Sequence, residues 1–305
     1  MNFMSVGTTG IEASRLILGC MRMSELSVAE AADVLTAAHA SGINFYDHAD
    51  IYGGGKSETV FAQAAKAAGL KRDELFLQSK VGIRKGFFDF SKEHIVSSVE
   101  GILDRLETDY LDFLLLHRPD TLVEPEEVAA AFEQLAQSGK VNYFGVSNQN
   151  PMQIELLQKY VPMKLQANQL QFGPAHTPMV DAGFNVNMLD EAGLNRDGSI
   201  LDYSRLKEMT IQPWSPFQVD LSQGLFIKHP AYQELTAKLQ AYADERGVTL
   251  EAIVMAWILR HPAMMQPIVG SMNPERITKM CEGTTVELSR QEWYDIYLSA
   301  GNSLP

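Results

Sequence analysis

The chain has 305 residues, of which 46% are hydrophobic and 21% charged, and 25 Lys and Arg stand against 38 Asp and Glu for a formal net charge of −13. That supplies a large core and excludes disordered, collagen-like and low-complexity classes. No Lys/Arg-rich stripe occurs, so nucleic acid is excluded as a partner, and any anionic ligand has to be held locally by backbone amides and a few placed cations.

Two cysteines, Cys20 and Cys281, lie far apart in the chain, which fits a reducing compartment, and a cytoplasmic location is expected. The run Ile17 to Cys20 superficially resembles a lipoprotein cleavage site, but Glu12, Ser14 and Arg15 interrupt the approach that a signal peptide needs. No stretch approaches the 18 apolar residues of a membrane span, so no membrane partner is expected.

In chain order, residues 3–12 are expected to form a small hairpin around Gly7–Gly10. Short, mostly apolar runs follow: Leu16–Cys20, Ile43–Asp47, Leu75–Lys80, Asp112–His117, Val141–Ser147, Leu165–Gln169, Thr210–Trp214 and Pro267–Ser271. Such runs read as strands buried on both faces, the usual state of parallel strands. Helix signals fall between them. Ser27 to Glu30 is a capping box, Ser91 can cap a helix running to about Glu107, Pro125 sits at a helix start, and Asn273-Pro274 opens a helix after the last run. Strand and helix alternate eight times, which predicts an α/β fold: a single-domain (β/α)8 TIM barrel over residues 1–305, with the N-terminal hairpin closing the barrel floor. A doubly wound sheet would need a Gly-x-Gly-x-x-Gly turn after the first strand, where Gly19-Cys20-Met21-Arg22 stands instead.

Active sites of such barrels lie at the C-terminal strand ends. Those ends read Asp47, Lys80, His117, Ser147-Asn148, Gln169, Trp214 and Ser271, with Tyr52 five residues past Asp47. Singly, each has an ordinary explanation as a cap, turn or core residue. A lysine closing an apolar run is harder to dismiss, because burying an ammonium is costly unless it is paired, and Asp47 on the neighbouring strand is its natural partner.

The segment Asp47-His48-Ala49-Asp50-Ile51-Tyr52-Gly53 with Ser57-Glu58, Lys80 after its strand, Leu114 to His117, and Gly145 to Asn148 resemble the motifs of the aldo-keto reductases, in the family's order and from about Leu16 to Cys281. The resemblance places Asp47, Tyr52, Lys80 and His117 at the positions of the catalytic tetrad and implies reduction of an aldehyde or ketone to an alcohol. Chemically the set makes sense. Tyr52 is the proton donor, Lys80 beside it favours its phenolate, Asp47 keeps Lys80 charged, and His117 orients the carbonyl oxygen.

The resemblance also implies an NADPH cradle. Ser147, Asn148 and Gln169 match residues on the nicotinamide carboxamide, and Trp214 matches the stacking aromatic. Ser215-Pro216-Phe217 and Leu221-x-x-Gly224 match the loop over the pyrophosphate, and Gly19 and Met21 at the first strand end belong to the same cradle. Gly270 to Arg276 is the stretch for the 2′-phosphate: Asn273 starts a helix whose amides attract phosphate, and Ser271 and Arg276 match the residues that prefer NADPH. Gly270 and Met280 depart from the Lys and Asn frequent there, which leaves NADH as a weaker alternative. His48 replaces a small residue and is read as structural.

Arg22, Ile51, Phe87 and Phe172, with Met21, Phe88 and Phe217 nearby, are the expected pocket walls, favouring a carbonyl substrate with a hydrophobic body. Segment 170–200, with His176 and Asn185, reads as a lid. The Gly53-Gly54-Gly55 triplet reads as a loop near the site, without the Lys-Ser/Thr spacing of a phosphate loop. Two rival enzymes are a Schiff-base aldolase using Lys80 and a metal-dependent hydrolase using Asp47, His48 and His117. The second is disfavoured because adjacent strand residues face opposite ways, so no metal is expected. An NADP(H)-binding regulatory subunit with slow turnover is the alternative outside catalysis. The sequence leaves the oligomeric state open and is compatible with a monomer.

Overall fold

The computed structural model describes every residue of the chain except Asp190 and Leu221. Eight parallel strands form the barrel: β1 (Ile17–Gly19), β2 (Phe45–Asp47), β3 (Phe76–Val81), β4 (Leu111–Leu116), β5 (Val141–Ser147), β6 (Leu165–Gln171), β7 (Thr210–Trp214) and β8 (Ile268–Val269). They pair in sequence, β8 returns beside β1, and the amide of Gln266 donates to Ile211 O at 3.0 Å to draw β8 against β7. The expected (β/α)8 barrel is therefore the observed one.

Helices α1 (Val28–Ala40), α2 (Lys56–Ala67), α3 (Lys92–Leu106), α4 (Pro125–Gln137) and α5 (Pro151–Gln158) follow β1 to β5 in turn. The strict alternation then ends. After β6 come α6 (Pro178–Phe184) and α7 (Ile200–Leu206), after β7 come α8 (Gln233–Arg246) and α9 (Leu250–Leu259), and after β8 come α10 (Pro274–Glu282) and α11 (Arg290–Ser299). The cap chemistry works as the sequence suggests. Ser27 accepts from the Glu30 amide while Glu30 takes the Ser27 amide, Ser91 accepts from the His94 amide, and Asn273 accepts from the Arg276 amide.

The N-terminal hairpin pairs Phe3–Met4 with Ala13–Ser14 and closes the floor. Its turn is bonded to the barrel bottom: Gly7 N donates to Thr210 Oγ1 at 2.7 Å and Thr8 N to Gln166 Oε1 at 2.8 Å. Above it, Val6, Ile17, Phe45, Phe113, Ala167 and Ile268 form a buried apolar layer inside the strands. Phe45 and Phe113 stand 5.4 Å apart between ring centres, and Tyr143 lies 5.2 Å from Phe113. Residues two further along each strand occupy the next layer up, because side chains of one face recur with period two. That rule carries Phe45 to Asp47, Phe76 to Gln78 and then Lys80, and Phe113 to Leu115 and then His117.

Candidate active site

Lys80 sits at the centre, and its side chain is 1% exposed. All three ammonium hydrogens have acceptors: Asp47 Oδ2 at 2.7 Å, the His48 carbonyl at 2.7 Å and Tyr52 Oη at 3.2 Å. Burial opposes the charge, yet Asp47 and Tyr52 outweigh it and hold the ammonium above the ordinary lysine value. A lysine held in this way is a poor Schiff-base nucleophile, which needs the free amine. For Tyr52 the balance differs. Burial raises the phenol, and Lys80 pulls the other way without cancelling it, so the hydroxyl stays protonated well past neutral pH.

Tyr52 reaches Lys80 because the chain after β2 turns sharply. Gly53, Gly54 and Gly55 have φ of 59°, 64° and 91°, a left-handed run that side chains resist, and α2 begins directly after it. Glu58 on α2 then anchors the turn from behind: buried, it accepts from Ser79 Oγ at 2.8 Å and Arg105 Nε at 2.7 Å. His117, one residue past β4, presents its ring edge-on to Tyr52, with centroids 6.0 Å apart at 82°. Burial first, then Lys80 and Arg118, lower its imidazole to about 2, so the ring is neutral and has one N–H to donate. Its Nδ1 is buried without a hydrogen-bond partner among the described residues.

Asp47 is held from below by a layer that the sequence alone did not reveal. Gln78 Nε2 and Gln169 Nε2 each donate to Asp47 Oδ1 at 2.7 Å. Both also donate to Gln212 Oε1, at 3.0 and 3.2 Å; Gln212 donates to Gln266 Oε1 at 3.1 Å, and Gln266 to Ser14 O at 2.8 Å. This glutamine layer spans the barrel between the apolar floor and the four rim residues. Its signal was available: Gln78 and Gln212 each interrupt an apolar run two residues before a polar or aromatic strand end.

Beside the four residues, Ser147, Asn148, Gln169 and Trp214 share one side of the mouth. Asn148, left-handed at φ 56°, donates to Ser147 Oγ at 2.7 Å and accepts the indole N–H of Trp214 at 3.1 Å. Gln169 uses its amide nitrogen on Asp47, and no described residue donates to its side-chain oxygen. Ser215 is left-handed at φ 49°, Pro216 is buried, and Phe217 stacks on Phe226. Gly224 closes that loop through a bond from Val219 N to its carbonyl at 2.9 Å, whereas Leu221 of the expected motif lies outside the described residues. At the other end, Ser271 Oγ accepts from Asn273 N at 3.2 Å, and Arg276 meets Glu251 at 3.5 Å.

The family model for the aldo/keto reductase family matches residues 15–297. The chain belongs to that family. It is 34% identical to the oxidoreductase YdhF of Escherichia coli K12 over 97% of this chain and 96% of that one. To a 6-dehydroglucose reductase of Agrobacterium fabrum C58 it is 33% identical, over 95% of each chain. Among solved structures, an aldo-keto reductase from Klebsiella pneumoniae in complex with NADPH superposes with a TM-score of 0.76 at 22% identity, covering 97% of this chain and 93% of that one.

Of the four expected pocket walls, Phe172 is the one that burial removes. Phe172 is fully buried and stacks on Trp257 at 5.3 Å, in a column that continues through Trp293 and Tyr297 under α11. Burial of its large ring in the outer core is what removes it from the mouth. Ile51 and Phe87 are 41% and 55% exposed, on the turn after β2 and on a hairpin (Ile83–Arg84 with Phe87–Phe88) after β3. Arg22 reaches sideways to the Gly270 carbonyl at 3.0 Å, tying the loop after β1 to the loop after β8; Gly19 lies under that junction, and Met21 is half exposed.

None of these four residues lines the cavity of about 600 Å³ that opens beside Asn148 and Trp214. Its other walls are Arg118, Leu170, Gln171, His176, Pro178, Met179, Asp197, Ile200, Asp220 and Ser222, a mainly apolar surface with charged and polar groups set into it. Segment 170–200 supplies much of this wall. It is fastened in place: His176 Nδ1 lies 3.1 Å from Val219 O, and Tyr297 donates to Asp181 at 2.8 Å.

His48 points away from Asp47 and packs edge-on against Phe61 at 4.5 Å, so the two cannot share a metal. Among the described residues no group of three or more His, Cys, Asp or Glu side chains is placed to hold a metal ion. Cys20 and Cys281 are free and buried, and no described helix is long and apolar enough to cross a membrane.

Proposed function

We propose that this chain reduces the carbonyl of an aldehyde or ketone to an alcohol, using NADPH in preference to NADH. The observation that carries the reading is the contact of 3.2 Å between Tyr52 Oη and a fully buried, fully hydrogen-bonded Lys80. A protonated phenol beside a fixed cation is an acid whose conjugate base is stabilised in advance.

The residues present fit a nicotinamide dinucleotide. The Gln169 oxygen, to which no described residue donates, the Ser147–Asn148 pair and the half-exposed indole of Trp214 form a polar, flat-sided recess suited to a carboxamide-bearing ring. When bound, the nicotinamide supplies the hydride. The chain does the rest. His117 donates its single N–H to the carbonyl oxygen and fixes its direction. Tyr52 delivers a proton to that oxygen as charge develops, and Lys80 stabilises the phenolate left behind. Asp47, locked by Gln78 and Gln169, holds Lys80 in position. Ser271, Asn273 and Arg276 would take the 2′-phosphate at the start of α10, Ser215, Pro216, Phe217 and Gly224 the pyrophosphate, and Gly19 and Met21 the near edge of the cradle.

The test is a panel of aldehydes and ketones assayed with NADPH and NADH in parallel. Consumption of NADPH with equimolar alcohol formation is the expected result. Tight binding of NADPH with no panel member reduced would favour the regulatory alternative.

A further inference from the structure

Arg118 follows His117, and it is half-buried in the wall of the cavity beside Trp214. Its guanidinium carbon lies 5.7 Å from the centre of the Trp214 ring, and among the described residues it makes no hydrogen bond or ion pair. It lies close enough to His117 for its charge to help lower that imidazole. No described carboxylate neutralises it. The two acidic residues of the same wall make no ion pair with it and direct their oxygens to their own loops: Asp197 Oδ1 accepts from the amides of Ser199 and Ile200, and Asp220 accepts from Ser222 and Gln223. In a chain of net charge −13, a half-buried guanidinium that follows the catalytic-site histidine and has no protein anion is a place where a ligand can supply one.

We propose that Arg118 is a specificity-determining residue that binds an oxyanion carried by the substrate a few bonds from its carbonyl, so that the preferred substrates are short, acidic aldehydes. The proposal rests on the carbonyl-reductase reading of the same site. The planar fork of Arg118 grips the carboxylate of a semialdehyde while His117 meets the aldehyde oxygen at the other end, and the two contacts align the carbonyl with Tyr52.

The experiment compares succinic semialdehyde with butanal, which has the same chain length and a methyl in place of the carboxylate. Wild type should prefer the acid by about ten- to a hundred-fold in kcat/KM, the range of a charge-assisted bond. Arg118→Met should collapse that ratio towards one, Arg118→Lys should restore part of it, and salt should raise KM for the acid alone. A wild-type ratio near one, or a ratio that Arg118→Met does not move, overturns the proposal while leaving carbonyl reduction intact. A change confined to the NADPH dissociation constant would put the guanidinium on the cofactor and also overturn it. A preference for glyceraldehyde over both compounds would mean hydroxyl recognition and would overturn it as well. If wild type reduces nothing, the carbonyl reading fails, and Trp fluorescence titration with succinate judges Arg118 separately: binding lost in Arg118→Met supports the anion site, and no binding to wild type removes it.

Discussion

The two sides of the barrel mouth are built on different principles. On the β2–β4 side, Asp47, Lys80 and His117 come from strand ends or the residue after, and their positions follow from strand register and from the glutamine layer beneath. On the β6–β7 side, most of the cavity wall comes from the ends of those two strands and from loops and short helices between residues 170 and 222, fastened by a few side-chain bonds, with Arg118 and Asn148 reaching in from the segments after β4 and β5. Chemistry common to a family needs fixed geometry, and buried strands provide it. Selectivity can vary without disturbing that geometry, because loops carry it.

The sharpest way to break this contrast is at the rigid side. Tyr52→Phe removes one oxygen and leaves the turn of three glycines intact. Carbonyl reduction should fall about 10²–10⁴-fold while the NADPH dissociation constant, read by fluorescence, changes little. Retention of full activity would remove Tyr52 as the acid. Because burial holds the Tyr52 phenol above its ordinary value, reduction should persist through neutral pH and decline only in strong alkali, as the proton is lost.

Phe172→Ala tests where the wall ends and the core begins. As a pocket residue, its truncation would alter KM. As a member of the Trp257–Trp293 column it should cost about 3–5 kcal/mol of stability, seen as a lowered urea midpoint. The sequence misled here for a physical reason: an aromatic one residue past β6 reads equally well as a pocket wall or as packing, and only the path of α9 and α11 decides. Asp47, Lys80 and His117 were legible because each ends an apolar run, where a charge or imidazole needs an explanation. Gln78 and Gln212 left only a faint signal, an amide interrupting an apolar run, which does not say that it faces partners across the barrel, and Gln266, just before β8, left none. Arg118 was hidden in another way. One guanidinium after His117 looks like ordinary surface until its lack of an ion-pair partner is seen.

The pH dependence of stability separates buried from open positions. Burial holds His48 at about 3 and His117 at about 2, both below the ordinary value of 6.5. A depressed folded value means stability that is complete above pH 6.5 and lost as pH falls through and below it, by about 1.4 kcal/mol per pH unit for each ring. Asp50, pushed up to about 6 by burial and Glu58, works the other way between pH 6 and 4. His48→Phe should therefore flatten the acid limb of the urea midpoint by about one proton's slope. An unchanged limb would mean that neither His48 nitrogen is shielded as the packing against Phe61 requires.

The smallest effect lies at the third element of the mouth, the start of α10. Arg276 is 57% exposed on its side chain, and its Nε meets Glu251 on α9 at 3.5 Å. On the proposed reading, in which a 2′-phosphate draws the guanidinium away from that carboxylate, Glu251 competes with the cofactor. Glu251→Gln removes the competitor and one negative charge near the phosphate, and both changes favour NADPH. An exposed pair of this kind is worth about 0.2–1 kcal/mol, so the NADPH dissociation constant should tighten by about 1.4- to five-fold and that for NADH should not move. Arg276→Ala should weaken NADPH alone. If Glu251→Gln instead weakened NADPH, the carboxylate would be orienting Arg276 rather than opposing the phosphate, and selectivity at this end would depend on a positioned ion pair, as it does not beside Trp214, where Arg118 stands unpaired.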